Sequence, residues 1–333
     1  MGFGIGIDIG GTKCAVILGE YGTDSQDNVQ IRGRVAFPTR ETGGPEAVIG
    51  RFMEIIDGML EESGIPAREL LGIGISCGGP LDRKTGVILS PPNLPGWDNV
   101  PIVRLLKTRY RIPVALENDA NACALAEWKY GAGKGSRSLL FLTFGTGLGM
   151  GMILDGRLYR GASDMAGEAG HLRLAECGPV GYGKIGSFEG FCSGGGIAQL
   201  AQMKVLEQLG RGEAPALLAG GARPWELTAR DVARAAEEGD KTAREIYALS
   251  GQYLGKGLSL LIDLLNPEVI VIGSIFARCR ELLWPHAREV IERETLAASR
   301  QACRVVPAGL GEEIGDYAAL SLVNGESGGE DGE

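Results

Sequence analysis

The sequence predicts an α/β protein of two domains. Apolar strand patterns alternate with helical ones along the chain, and 333 residues correspond to two domains at roughly 150 residues each. The second half also opens as the first does. The turn Gly10-Gly11-Thr12 between two apolar runs is matched, at an offset of 135 residues, by Gly145-Thr146-Gly147 between two more.

The elements follow in order. Residues 4–8 alternate small and apolar side chains, Gly10-Gly11 turns the chain, and 14–18 run apolar again, which reads as a β-hairpin. Over 45–64 the apolar positions Val48, Ile49, Phe52, Ile55, Ile56, Met59 and Leu60 fall at helical spacing. Pro45 suits the first turn of that helix and Gly64 its C-terminal cap. Strands are expected at 71–76 and 114–117, and a helix at 118–130 starts on Asn-Asp and stops at Gly131. Residues 139–144 and 150–154 form the second hairpin. Residues 215–240 read as a helical insertion. A helix over 240–265 stops at Asn266-Pro267 and is followed by a strand at 269–272. The tail, 326–333, contains only Gly, Ser and acidic residues and is expected to be disordered.

Composition excludes several classes. Glycine is the outlier at 54 of 333 residues, 54/333 ≈ 16%, against about 7% in an average chain. There is no G-X-Y period, so collagen is excluded, and the abundance of Leu, Ile and Val excludes a linker. Many tight turns are implied. No apolar run approaches the roughly 18 residues of a membrane span. The N-terminus lacks a basic n-region, so no secretory signal is expected. Seven cysteines without a CxxC pair argue against a disulfide scaffold and for a reducing cytoplasm. With 33 basic against 42 acidic residues, a net charge of −9, no nucleic-acid partner is expected.

The two glycine turns expose backbone N–H groups with no side chain in the way, which is how phosphate is cradled. Asp8 precedes the first and could hold hydrated Mg²⁺ against those phosphates, with Lys13 adding charge. Neither turn is a Walker loop, and Gly145 to Gly151 runs G-x-G-x-G-x-G, unlike a dinucleotide fingerprint. Asn118-Asp119 could cap a helix, or its carboxylate could take a proton from a hydroxyl attacking a γ-phosphate, and spacing does not separate these roles. Of the two histidines, His286 lies in a helical pattern. His171, in Gly167-Glu168-Ala169-Gly170-His171, suits either hydroxyl recognition or a buried structural role.

Taken in order, Asp8-Ile9-Gly10-Gly11-Thr12-Lys13, Glu117-Asn118-Asp119-Ala120-Asn121-Ala122, Gly145-Thr146-Gly147-Leu148-Gly149 and Gly167-Glu168-Ala169-Gly170-His171 resemble the ROK family of sugar kinases and repressors. The resemblance runs from about residue 5 to 322. It implies an actin-like ATPase (ribonuclease H-like) fold, two α/β domains around a cleft: a small domain at 1–118, completed by a C-terminal helix at about 311–324, and a larger one at 119–310. It implies ATP and Mg²⁺, with Asp8, Gly10, Gly11, Thr12 and Lys13 on one side of the phosphates and Thr146, Gly147 and Gly273 on the other. By the same resemblance Asp119 is the base that activates a sugar 6-hydroxyl, and Asn118 binds neighbouring hydroxyls. Gly79 and Asn93 line the sugar pocket, and Glu168, His171 and Glu189 grip the ring, the first two of these around C1 and C2. The function implied is hexose phosphorylation by a homodimer. Ser90-Pro91-Pro92-Asn93-Leu94-Pro95-Gly96-Trp97 leans toward glucose, with another hexose or an N-acetylhexosamine as alternative.

Two departures from the family pattern stand out. Where the family often carries a cysteine-rich zinc stretch after its histidine, this chain has Val180, Tyr182 and Ser187, so no zinc site is expected. After strand 269–272 the family commonly has three glycines, and this chain has Gly273-Ser274-Ile275, where the Cβ of Ile275 is expected to disturb nucleotide binding. The family's repressors place a helix-turn-helix before the first hairpin. Here the hairpin starts by Gly4 in an acidic chain, which leaves a sugar-sensing regulator without a DNA-binding domain as the non-enzymatic alternative.

Overall fold

The computed structural model describes residues 2–22, 28–40 and 43–323. The expected disordered tail at 326–333 lies outside the described residues. The chain divides into two compact units, Met1–Gly135 with Glu312–Glu333, and Ser136–Gly311.

The two units carry sheets of the same order. In the first, Lys13–Tyr21 pairs antiparallel with both Val29–Pro38 and Gly2–Ile9, and Leu70–Cys77 and Val114–Asn118 continue the sheet parallel to Gly2–Ile9. In the second, Arg157–Leu158, Met150–Leu154 and Leu139–Leu142 are antiparallel, and Val269–Ile272 and Arg304–Pro307 follow in parallel. Both expected hairpins are present, with Ile7 opposite Val16 in one and Leu140 opposite Met152 in the other. The repeat seen in the sequence is therefore a repeat of topology. The edge strand Val29–Pro38 escapes the sequence reading because it is mostly exposed and carries Gln30, Arg32 and Arg34, so it shows no clear apolar alternation.

Burial explains the glycine excess. In Gly2–Ile9 the odd positions Ile5, Ile7 and Ile9 enter one core with Val48, Phe52 and Ile56 of the helix Gly44–Ser63. Gly4 and Gly6, with Gly72 and Gly74 of the neighbouring strand Leu70–Cys77, face the C-terminal helix Ile314–Leu320 and the turn after it, and they are glycines because these elements nearly touch. A Cβ on Gly74 would lie 2.2 Å from the Ala319 carbonyl oxygen, on Gly72 2.6 Å from that of Val323, and on Gly4 2.3 Å from the Val323 side chain. Side chains at these points would overpack the interface. The same device joins helices in the second unit. Gly251 and Gly255, one turn apart on Lys241–Leu265, bring it against the Leu283 and Ala287 carbonyls of Arg280–Glu294, where an added Cβ would meet each at 2.5 Å.

Helix ends follow their signals. Gly64 ends Gly44–Ser63 at φ 67, donating its N–H to Glu61, and Asn266 ends Lys241–Leu265 at φ 44. The insertion at 215–240 is two 3₁₀ turns, Ala216–Gly221 and Pro224–Glu226, then a helix Ala229–Glu237 opened by a Thr228/Asp231 capping box. One boundary needs correction. The helix Asp119–Lys129, expected to open the larger domain, packs in the first unit on the C-terminal segment: Lys129 donates to the Ser321 carbonyl at 2.9 Å, and the Tyr130 and Tyr317 rings lie 5.7 Å apart. Contacts of high sequence separation override proximity along the chain. No described helix is long and apolar enough to cross a membrane.

Candidate active site

In the first unit the predicted residues converge at the C-terminal ends of Gly2–Ile9, Leu70–Cys77 and Val114–Asn118. The hairpin turn is closed by Gly10 N–H to Lys13 O at 3.1 Å, and a Cβ on Gly11 would lie 2.6 Å from the Asn93 carbonyl, so the phosphate-type turn and the Asn93 loop touch backbone to backbone. A Cβ on Gly78 would stand 3.4 Å from Asn93 Nδ2 and 3.8 Å from Asp119 Oδ2, and one on Gly79 3.6 Å from Asn118 Nδ2. The glycines thus open the space that Asn93, Asn118 and Asp119 border.

Both roles proposed for Asn118-Asp119 are compatible. Asn118 Oδ1 caps the helix, accepting from Ala120 N–H at 3.0 Å and Asn121 N–H at 3.4 Å, which leaves the amide nitrogen on the Gly79 side. Asp119 Oδ1 accepts from Ala120 N–H at 2.8 Å, and Oδ2 is the oxygen toward Gly78. One carboxylate oxygen fixes the side chain and the other is presented.

The electrostatics are unfavourable without a cation. Asp8 is pushed up to about 6, first by burial and then by the negative charges of Asp119 and Asp316, with Lys13 and Arg34 acting in opposition. The Asp119 carboxyl is also raised, chiefly by desolvation among its neighbours, against the lowering effect of its Ala120 hydrogen bond. Thiols of Cys77 and Cys123 nearby are held neutral for the same reason. This excess of negative charge at a partly buried carboxylate fits a hydrated divalent cation held by one protein ligand. The sequence reading missed Asp316 and its partner Arg34, which lie 2.6 Å apart. Gly315 was the available signal: a Cβ there would stand 2.7 Å from Asp8 Oδ2.

In the second unit the remaining predicted residues interlock. Glu189, on the short helical turn Phe188–Phe191, accepts from Leu148 N–H at 3.0 Å, and a Cβ on Gly147 would lie 2.7 Å from the same oxygen. Gly167, at φ 97, and Gly170 press their backbones onto the Met150 and Leu148 carbonyls, where a Cβ would sit at 2.1 and 2.2 Å. The turn at 145–149 and the loop carrying Glu168 and His171 therefore form one rigid piece. His171 is exposed, as are Glu168 and Thr146, which removes the buried structural reading of the histidine. The sequence reading also missed Ser193-Gly194-Gly195-Gly196, which opens the helix Gly194–Gly210: Ser193 caps Gly196 N–H at 2.9 Å, and Gly194 N–H donates to Gly145 O at 2.8 Å. Three glycines at a helix start disguise the helix while letting its N-terminus sit against the glycine turn.

Beyond Gly273 the unusual backbone falls on Ser274, at φ 56 and ψ −115, one residue before the position the sequence singled out. Ile275 instead begins a helical turn, donating its N–H to Phe144 O at 2.8 Å, with its side chain packed near Gly194.

The segment with Val180, Tyr182 and Ser187 at the family's cysteine positions is a two-stranded hairpin, Val180–Gly181 with Lys184–Ile185. The Gln199 carboxamide binds Val180 as a neighbouring strand would, accepting its N–H at 2.9 Å and donating to its carbonyl at 2.8 Å. Arg173 donates to Ile185 O and Lys184 to His171 O, both at 2.8 Å, and Ser187 Oγ accepts from Gly190 N–H at 3.0 Å. Among the described residues no group of three or more His, Cys, Asp and Glu is placed to hold a metal ion. Gln199→Ala is expected to lower the opening free energy of residues 180–187 by about 1–2 kcal/mol. Hydrogen exchange resolved to that hairpin checks this, and unchanged protection would show that Gln199 does not hold it.

Two sheets of like order, each with a glycine-lined turn in its antiparallel part, define an actin-like ATPase fold. The chain belongs to the ROK family, whose model matches residues 4–326. It is 32% identical over 326 residues to a glucokinase of Thermotoga maritima, covering 98% of both chains. It is 29% identical over 299 residues to a xylose repressor of Caldicellulosiruptor bescii, covering 88% of this chain and 71% of that protein. A crystal structure of a ROK family glucokinase from Streptomyces griseus in complex with glucose and AMPPNP superposes with a TM-score of 0.74 at 28% identity, covering 96% of this chain and 99% of that one.

Proposed function

We propose that this chain is an ATP-dependent kinase acting on the 6-hydroxyl of a hexose, with glucose as the preferred acceptor. The observation that carries the reading is Asp119, whose Oδ1 is pinned by a helix N–H while Oδ2 is presented beside Gly78, Asn93 and Asn118. As O6 attacks the γ-phosphorus, Asp119 takes the hydroxyl proton, and its raised pKa makes it a stronger base than an ordinary carboxylate. Asn118 Nδ2, Asn93 and the Gly79 backbone bind neighbouring hydroxyls, and Glu168, His171 and Glu189 hold the ring, with Glu168 and His171 on its C1–C2 edge. Asp8, Gly10, Gly11, Thr12, Lys13, Thr146, Gly147 and Gly273 are the nucleotide side of this reading. Magnesium bound at Asp8 through water would neutralise phosphate charge. The similarity to glucokinases at 28–32% identity supports the kinase class. A homodimer in a reducing cytoplasm completes the reading, and all seven cysteines are free thiols.

A coupled ADP-release assay across glucose, mannose, fructose, N-acetylglucosamine and N-acetylmannosamine tests it. Glucose is expected to show the highest kcat/KM. Release no faster than background with every sugar overturns the kinase reading in favour of a sugar-binding regulator, a reading that the repressor similarity supports.

A further inference from the structure

The turn Gly10-Gly11-Thr12-Lys13 needs both glycines for space, and that leaves one of its peptides poorly fixed. A Cβ on Gly10 would lie 2.8 Å from Lys13 O, and one on Gly11 2.6 Å from Asn93 O. The peptide between them has a glycine on either side, where rotation meets no Cβ. A separate element holds it. Thr39 follows the strand Val29–Pro38, whose last residue lies opposite Lys13, and it is 5% exposed. Its Oγ1 donates to the Gly10 carbonyl at 2.6 Å, and its N–H donates to the Thr12 carbonyl at 3.0 Å. The hydroxyl has one proton and a carbonyl only accepts. The buried Cys14 thiol, 3.2 Å from Thr39 Oγ1, is therefore the donor of that pair.

These bonds set which way the turn's N–H groups point. In a trans peptide the C=O and the N–H of the next residue point in opposite directions. Gly10 O, held on Thr39, therefore sends the Gly11 N–H away from Thr39, and Thr12 O does the same for the Lys13 N–H. The Lys13 carbonyl is taken by Gly10 N–H at 3.1 Å. The carbonyls of Gly10, Thr12 and Lys13 are thus occupied from within the protein, while no described residue accepts from the N–H of Gly11 or Thr12. We propose that Thr39 is a positioning residue for the phosphoryl donor, its hydroxyl and N–H locking the Gly10–Gly11 and Thr12–Lys13 peptides with their N–H groups toward the phosphates. The inference rests on the kinase reading, which puts phosphate at this turn. Without the hydroxyl the Gly10 carbonyl is free to swing toward the anion, and a repelling oxygen replaces a donor. Thr39 is buried and acts through these peptides.

Thr39→Val keeps the side-chain shape and the backbone N–H and removes only the hydroxyl, so it isolates the bond to Gly10. The measurements are calorimetry with AMPPNP and Mg²⁺ and with glucose, ADP-release kinetics with each substrate varied, and circular dichroism. Thr39→Val is expected to weaken AMPPNP binding about tenfold and to lower kcat/KM for ATP at least as much, with glucose affinity and the fold unchanged. Thr39→Ser restores the donor and is expected to return both nucleotide parameters to within about threefold of wild type, with Thr39→Cys, a weaker donor, between the two. Unchanged AMPPNP affinity in folded Thr39→Val overturns the positioning role. An equal loss of glucose affinity overturns it too, as does a Thr39→Ser no better than Thr39→Val. If Thr39→Val does not fold, equal AMPPNP affinities in Thr39→Ser and Thr39→Cys overturn it. A wild-type protein that binds AMPPNP but releases no ADP with any sugar defeats the kinase reading, and the binding series still decides the role of Thr39. Wild-type protein that binds no AMPPNP overturns both.

Discussion

Asp119→Asn is expected to lower kcat about a thousandfold or more, at the upper end of what a positioned base contributes. The substitution is nearly isosteric. The amide oxygen can still accept from Ala120 N–H, which holds Oδ1 at 2.8 Å in the native chain, so the side chain keeps its place at the start of Asp119–Lys129. Asn118, which caps that helix, is untouched. What is lost is the basic lone pair on the oxygen facing Gly78 and one negative charge near Asp8. Steady-state kinetics, calorimetry with the sugar and circular dichroism separate the effects. Turnover should collapse, sugar affinity should stay within a few-fold, and the fold should be unchanged. Near-normal kcat would remove Asp119 from the role of base.

Asp8→Asn is expected to abolish turnover and, without nucleotide and Mg²⁺, to make the protein more stable at neutral pH. Asp8 titrates at about 6 in the folded chain against 3.8 for the ordinary group. Its ionised form is thus disfavoured by up to about 3 kcal/mol, less what solvent at the partly exposed carboxyl screens. The sign follows from proton binding. Between pH 4 and 6 the folded state holds more protons than the unfolded one, so Asp8 withdraws stability as pH rises through that window. Asparagine carries no such penalty, and Tm at pH 7.5 should rise by about 5 °C, with the difference vanishing toward pH 4. Adding Mg²⁺ and nucleotide should reverse the order, because the wild-type carboxylate then has its cation. A fall in Tm without Mg²⁺ would show that Asp8 is already satisfied within the protein.

Local signals in the sequence carry a definite share of this structure. Gly64 and Asn266 end their helices in the left-handed conformation, Asn118 caps the helix it precedes, and the alternation of small and apolar residues over 4–8 marks a strand. The repeat at an offset of 135 residues foretells two sheets of one topology. Each of these is written within a few neighbouring residues, where backbone preference and side-chain period act directly. Elements with a weak local signature stayed hidden: the mostly polar edge strand Val29–Pro38 and the helix opened by Gly194, Gly195 and Gly196.

The sequence by itself determined the α/β class, the doubled hairpin and the residues that gather at the two glycine turns. Only the tertiary structure decided that Asp119–Lys129 packs with the C-terminal helix in the first unit, that Asp316 crowds Asp8, that Glu189 ties Leu148 into the His171 loop, and that Gln199 holds the hairpin carrying Tyr182. Each depends on atoms brought together by packing from distant parts of the chain. The glycine excess spans both domains of information. Its count is plain in the sequence, but the reason for Gly72, Gly74, Gly251 and Gly255 is the carbonyl or side chain of another element within 3 Å of where a Cβ would stand.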